Sequence, residues 1–115
     1  MCIRDRNKVA LLEKNEKLGK KIYITGKCRC NLTNACDVEE LFLNVKSNSK
    51  FLYSAFYGFD NSQVIAFFES HGMPVKVERG NRVFPVSDKS SDVIFALQRD
   101  VYKRQEEEMH VKLDV

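Results

Sequence analysis

Apolar and polar positions divide the chain into short segments that follow two different periods. Val9-Ala10-Leu11-Leu12 is a continuous apolar run that stops on Glu13, the pattern of a buried strand closing on an acidic residue. A basic turn follows, with Lys14, Lys17, Lys20 and Lys21, and then a loop of small and polar residues from Gly26 to Asn31. Asp37, with Glu40 three positions on, reads as a capping box, and Val38, Leu41, Phe42 and Val45 continue at helical spacing. Ser47-Asn48-Ser49 breaks that helix. A second apolar stripe, Phe51, Leu52, Ala55, Phe56 and Phe59, ends near Gly58. Asp60-Asn61-Ser62 caps a third helix carrying Val64, Ile65, Phe67 and Phe68, stopped by Gly72 and Pro74.

From Met73 the period changes to two. Met73 to Arg79 alternates apolar and charged residues as a half-buried strand does, Gly80-Asn81 is a turn, and Arg82 to Val86 returns as the second strand of a hairpin. Pro85 has no N–H donor and therefore belongs at an edge or a strand end. Ser87-Asp88 is expected to cap a fourth helix bearing Val93, Ile94, Leu97 and Val101, and Val111, Leu113 and Val115 resume an alternating strand after Glu106-Glu107-Glu108. The 8 phenylalanines fall mostly in the helical segments, where they read as packing core.

The chemistry concentrates between Val9 and Asn34. In dinucleotide-binding folds a strand ending on Asp or Glu presents its carboxylate to the hydroxyls of the adenosine ribose. The usual opening of that motif is absent, since no G-x-G-x-x-G precedes Val9. Three stretches carry a family pattern: Glu13-Lys14-Asn15 with Gly19-Lys20-Lys21; Thr25-Gly26-Lys27-Cys28-Arg29-Cys30-Asn31-Leu32-Thr33-Asn34; and Glu78-Arg79-Gly80-Asn81-Arg82-Val83-Phe84-Pro85. Together they resemble the BaiN-like or aminoacetone oxidase-like NAD(P)/FAD-dependent oxidoreductases, whose pattern runs E-K-N-x-x-x-G-[KR]-K, then [ST]-G-x-G-R-C-N-x-T-N, then E-x-x-G-R-x-F-P.

The resemblance covers residues 7–99 and implies an α/β fold, a fragment of a Rossmann-like FAD-binding domain in the order strand, cofactor loop, helices, β-hairpin, helix, strand. It implies an FAD-dependent oxidoreductase that transfers a hydride with a small organic substrate or a reduced nicotinamide, NAD(P)H being the candidate electron donor. It also implies the cofactor-binding residues: Glu13, Lys14, Lys20, Lys21, Thr25, Gly26, Arg29, Cys30 and Asn31. No catalytic side chain is assigned, because hydride transfer is the flavin's own chemistry and the protein supplies position and electrostatics. Arg29 has two readings, an electrostatic partner of the cofactor or a clamp on nearby carbonyls. Arg82 is an exposed strand arginine or a group for an anionic substrate. His71, at a helix C-terminus, is placed where the dipole favours a cation.

The chain departs from that pattern in three places. Cys28 stands where the family has glycine, a residue that allows close backbone approach and positive φ. The first strand and its glycine loop are missing. Residues 1–6, Met-Cys-Ile-Arg-Asp-Arg, fit no part of the family and look like translated sequencing adapter, a non-native tag; residues 100–105 look like the companion artefact. On this reading residues 7–99 are a partial FAD-binding domain and residues 106–115 begin the next strand of the same domain. The expectation is a fragment without stable FAD binding of its own, because the glycine loop holds the pyrophosphate at a helix N-terminus.

Composition narrows the alternatives. At 115 residues and 43% hydrophobic, one small domain is expected. The net charge is +3, and the two adapter-like ends carry +1 each, so the remainder carries about +1 and argues against general nucleic-acid binding. No apolar run approaches the roughly 18 residues of a membrane span, and nothing resembles a signal peptide, so the cytoplasm is the expected compartment. Cys28, Cys30 and Cys36 lack the C-x-x-C spacing of a zinc site, and no metal is assigned. The alternatives from other classes are an RNA-binding module, in which the basic Lys14–Arg29 surface with Tyr23 meets phosphates and bases, and a zinc-stabilised interaction domain. Substrate and oligomeric state stay open at this level.

Overall fold

The computed structural model describes the backbone of residues 10–109 and the side chains of residues 10–102. Among the described residues five helices and a small sheet follow in the order α1 (Lys20–Cys28), β1 (Thr33–Asn34), α2 (Val38–Leu43), α3 (Tyr53–Gly58), α4 (Asn61–Ser70), β2 (Val75–Glu78), β3 (Arg82–Pro85) and α5 (Ser90–Met109). Short 3-10 turns at Ser49–Leu52 and Arg79–Asn81 lead into α3 and β3.

The sheet has the order β1-β3-β2 and is antiparallel throughout, with Val77 opposite Val83 and Thr33 opposite Val83 on the other side. The predicted hairpin is therefore present, with β3 as its central strand. Pro85 is the last residue of β3, where its missing donor interrupts no further ladder bond. Two-residue β1 was not foreseen. It has no alternation to betray it and exists because Leu32 N donates to Val83 O at 2.8 Å and Ala35 N to Asn81 O at 2.8 Å.

Val83, Phe84 and Pro85 are buried beneath the helices. Beside them Cys30, Phe68, Met73, Val93 and Ala96 form the core, flanked by Ile22, Leu32, Val64, Phe67, Val75 and Leu97. Burying each large apolar side chain contributes on the order of 1.5–3 kcal/mol. The eight phenylalanines do not all pack as core: Phe67, Phe68 and Phe84 point inward, Phe42 gathers Tyr53, Phe56 and Tyr57 into a separate ring cluster with centroids 4.8–5.4 Å from it, and Phe51, Phe59 and Phe95 are exposed.

A local capping signal fixes the start of α4 but not of α2 or α5. Asp60 is the N-cap of α4, its side chain accepting from Gln63 N at 2.9 Å while Gln63 Oε1 accepts from Asp60 N at 2.8 Å, a complete capping box. Asp37 occupies the N-cap position of α2 with extended backbone but makes no side-chain cap bond. Asp88 does not cap α5, which begins at Ser90; its carboxylate turns instead to Arg29 and Lys76.

Two expectations need correction. Of the expected Val9–Leu12 strand closing on Glu13, Val9 lies outside the described residues and residues 10–13 form no strand, with Leu11 and Leu12 77% and 91% exposed. A strand is made by its ladder, and none of β1, β2 or β3 lies beside this segment. Lys20 and Lys21 are not in a turn but open α1. Gly19 allows this approach, with φ of 76° and a position where a Cβ would meet Ile94 Cγ1 of α5 at 2.9 Å. Beyond Asp100 the helix continues through residues 101–109, and Val111, Leu113 and Val115 lie outside the described residues.

Candidate functional site

The nine candidate residues fall into two groups at opposite ends of α1. Glu13, Lys14, Lys20 and Lys21 precede or open the helix, and all are exposed. Glu13 Oε2 accepts from the backbone N and the Nδ2 of Asn15, at 3.3 and 3.4 Å. Lys20 pairs with Glu16 at 2.8 Å, a surface i,i+4 contact. Glu13 also stands on the wall of a groove of about 310 Å³, whose other walls are mainly apolar and include Leu11, Leu12, Ile22, Ile94 and Leu97.

The second group is a loop with unusual backbone. α1 is interrupted at Thr25, whose Oγ1 donates to Ile22 O at 2.8 Å. Left-handed φ follows at Gly26 (58°), Lys27 (57°), Cys28 (65°) and Cys30 (63°), with Arg29 alone right-handed among them. The chain folds back so far that a Cβ on Gly26 would lie 2.8 Å from Asn31 N. Arg29 N bonds Gly26 O at 3.1 Å and Cys30 N bonds Thr25 O at 3.0 Å, closing the turn. Cys30 points into the core at 7% exposure, whereas Gly26, Lys27, Cys28 and Asn31 are exposed.

Arg29 is the anchor of this loop. Its guanidinium lies 3.9 Å from the centroid of the Phe84 ring, donates through Nε to Asp88 Oδ1 at 2.9 Å and through a terminal nitrogen to Glu78 Oε2 at 2.5 Å. Lys76 completes the cluster, 2.8 Å from Asp88 and 3.3 Å from Glu78. The hydrogen bonds of Glu78, then Asp88, push the Arg29 guanidinium upward, and those of Asp88, then Glu78, do the same for Lys76. In return Arg29 holds Glu78 below the usual carboxylate range, and Lys76, then Arg29, hold Asp88 there. Of the two readings of Arg29, the contacts are those of a clamp, made to carboxylates rather than carbonyls. Glu78 was in view as part of the E-x-x-G-R-x-F-P stretch and Asp88 as a helix cap; nothing local disclosed that both face Arg29.

The end of the motif is likewise engaged internally. Asn34 Nδ2 donates to Gly80 O at 3.0 Å, and Asn34 Oδ1 accepts from Cys36 N at 3.0 Å. Buried Asn61 bridges Asn34 O and Cys36 O, each at 2.6 Å. Burial raises the Cys36 thiol above its ordinary value. Arg82 is exposed and donates to Arg79 O at 3.0 Å. His71, the C-cap of α4, has Nδ1 at 2.8 Å from Phe67 O and Nε2 at 2.9 Å from buried Asp100 of α5. Among the described residues no cluster of three His, Cys, Asp or Glu is placed to hold a metal ion, and no helix is long and apolar enough to cross a membrane.

Comparison with known proteins identifies the lineage. The model of the HI0933-like protein Rossmann domain matches residues 1–115. The chain belongs to this family. Membership agrees with the BaiN-like resemblance of the motifs and assigns the helices and sheet to a Rossmann-like α/β domain. A curated relative, the 3-dehydro-bile acid delta(4,6)-reductase of Clostridium scindens, is 31% identical over 96 residues. That alignment covers 84% of this HI0933-like chain but only 23% of the relative, so the chain spans about a quarter of the reductase it matches.

Proposed function

We propose that this chain is part of the FAD-binding domain of a flavoprotein oxidoreductase, in which Glu13 receives the adenosine ribose. The observation that carries the reading is the carboxylate of Glu13 at the rim of an apolar groove of about 310 Å³, in a member of the HI0933-like family. The groove walls match the flat apolar face of a purine, and the carboxylate matches a vicinal diol. The sharply folded Gly26–Asn31 loop supports the second contact: the missing Cβ of Gly26 lets the chain fold back onto Asn31 N, and the fold leaves Gly26, Lys27, Cys28 and Asn31 exposed to a cofactor.

Bound FAD supplies two-electron chemistry, with a small organic substrate or a nicotinamide as the other party to the hydride transfer. The chain's own residues bind and orient. Glu13 accepts from ribose hydroxyls, Lys20 and Lys21 lie on the approach to the phosphates, and Arg29 shapes the loop rather than neutralising the cofactor. A carboxylate at Glu13 repels a 2′-phosphate, which favours FAD over NADP as the resident nucleotide.

On this proposal the test uses the whole flavoprotein that carries this segment. Purified protein is expected to carry a yellow chromophore, and Glu13→Gln to weaken FAD binding by about ten- to a hundredfold, the equivalent of the roughly 1.5–3 kcal/mol of a charge-assisted hydrogen bond. Equal affinity of Glu13→Gln and the parent refutes the assignment.

A further inference from the structure

Resting on the flavin reading above, we infer that Glu78 and Asp88 are positioning residues for the Gly26–Asn31 loop, acting on it through Arg29. The loop cannot hold its shape by backbone preference. Lys27, Cys28 and Cys30 carry side chains at φ of 57°, 65° and 63°, a conformation that L residues adopt only where surroundings impose it. Its two internal backbone bonds close the turn but do not attach it to the sheet. Besides the burial of Cys30 and the Leu32 N–Val83 O bond that follows it, the loop is attached through Arg29, whose right-handed backbone sits between left-handed Cys28 and Cys30.

That side chain is fixed from three directions. The ring of Phe84 on β3 lies beneath it at 3.9 Å, Glu78 at the end of β2 takes a terminal nitrogen, and Asp88 before α5 takes Nε. A planar guanidinium held on a ring face and forked between two carboxylates has little rotational freedom left. Lys76 supplies the charge that balances the second carboxylate, so the cluster of two cations and two anions is neutral. An arginine so satisfied has no unused charge for a cofactor phosphate. The hairpin and the β3–α5 connection thereby determine the position of the exposed Gly26, Lys27, Cys28 and Asn31 backbone, although Arg29 is 49 and 59 positions away in the chain from the carboxylates that hold it.

Hydrogen exchange on the purified chain tests this without any flavin. In Glu78→Gln and in Asp88→Asn the amides of residues 27–31 should exchange about tenfold faster or more, while amides in the middle of α4 keep their rates. Glu78→Asp, which keeps the carboxylate, should recover part of the protection. Phe56→Ala is the control, lowering stability in the separate ring cluster around Phe42 without touching the core that holds Cys30. In the FAD-loaded protein the same two carboxylate variants should alter the visible circular dichroism of the flavin, and Phe56→Ala should not. Unchanged loop exchange in both carboxylate variants, or an equal selective effect of Phe56→Ala, overturns the inference. Loss of FAD binding in Glu13→Gln bears only on the cofactor assignment, so the two readings fail separately.

Discussion

At Cys28 the backbone takes φ of 65°, and at neighbouring Lys27 φ of 57°. A Cβ in the left-handed region crowds the following carbonyl and costs roughly 1–2 kcal/mol. Glycine has no such penalty, although its greater freedom in the unfolded chain offsets part of the gain. Cys28→Gly should therefore raise stability by about 0.5–1 kcal/mol, read as a higher denaturant midpoint with unchanged slope. A lower midpoint would mean that the left-handed turn is not the populated conformation. The sequence motif had already marked this position as one where glycine is usual. The structure supplies the physical reason, since the turn needs positive φ at Gly26, Lys27, Cys28 and Cys30, and only one of the four is glycine.

Among elements, the junction of β1, α2, α4 and the Arg79–Asn81 turn hangs on one buried amide. Asn61 Nδ2 donates to Asn34 O and Cys36 O at 2.6 Å each, and Asn34 in turn binds Gly80 O. Removing the shared donor leaves two carbonyls in a poorly hydrated place. Asn61→Ala should cost about 1–3 kcal/mol, measured by thermal or denaturant unfolding, whereas Ser62→Ala on the exposed side of the same turn should cost far less. Similar losses for both would show that Asn61 is no special tie.

The contrast explains what was legible in the sequence. The capping box of α4 was, because Asp60 and Gln63 are three residues apart and interact by themselves. The hairpin was, because a period of two and a Gly-Asn turn are local. The segment 10–13 has the composition of a strand, but composition does not supply a ladder partner. Asn61 looked like part of a helix cap, and its bonds to residues 27 and 25 positions away left no local trace. Arg29 was singled out in the sequence, yet its partners lie on β2 and before α5, where only the fold brings them together.

For the molecule as a whole, the ion cluster dictates how stability depends on pH. Glu78 and Asp88 have folded-state pKa values below their ordinary ones, as do Glu16 beside Lys20 and Asp60 beneath the Gln63 amide. A depressed carboxylate stabilises the fold above its unfolded pKa, near 4, and that stabilisation is lost as pH falls through the lower folded value. Lys76 behaves in the opposite sense. Its folded pKa lies above 10.5, so its contribution is complete below 10.5 and disappears as pH rises through the raised value. The expected profile is a plateau through neutrality with a fall on each side. Arg29→Gln removes the leading cause of the shift at Glu78 and the second at Asp88, leaving only Lys76 to hold the pair. The variant should begin less stable and then lose less than the parent between about pH 7 and pH 2, because fewer protons are taken up on unfolding. Urea midpoints measured across that range decide the matter: parallel acid limbs for parent and variant would show that Arg29, despite its two short contacts, does not govern the ionisation of the carboxylates that grip it.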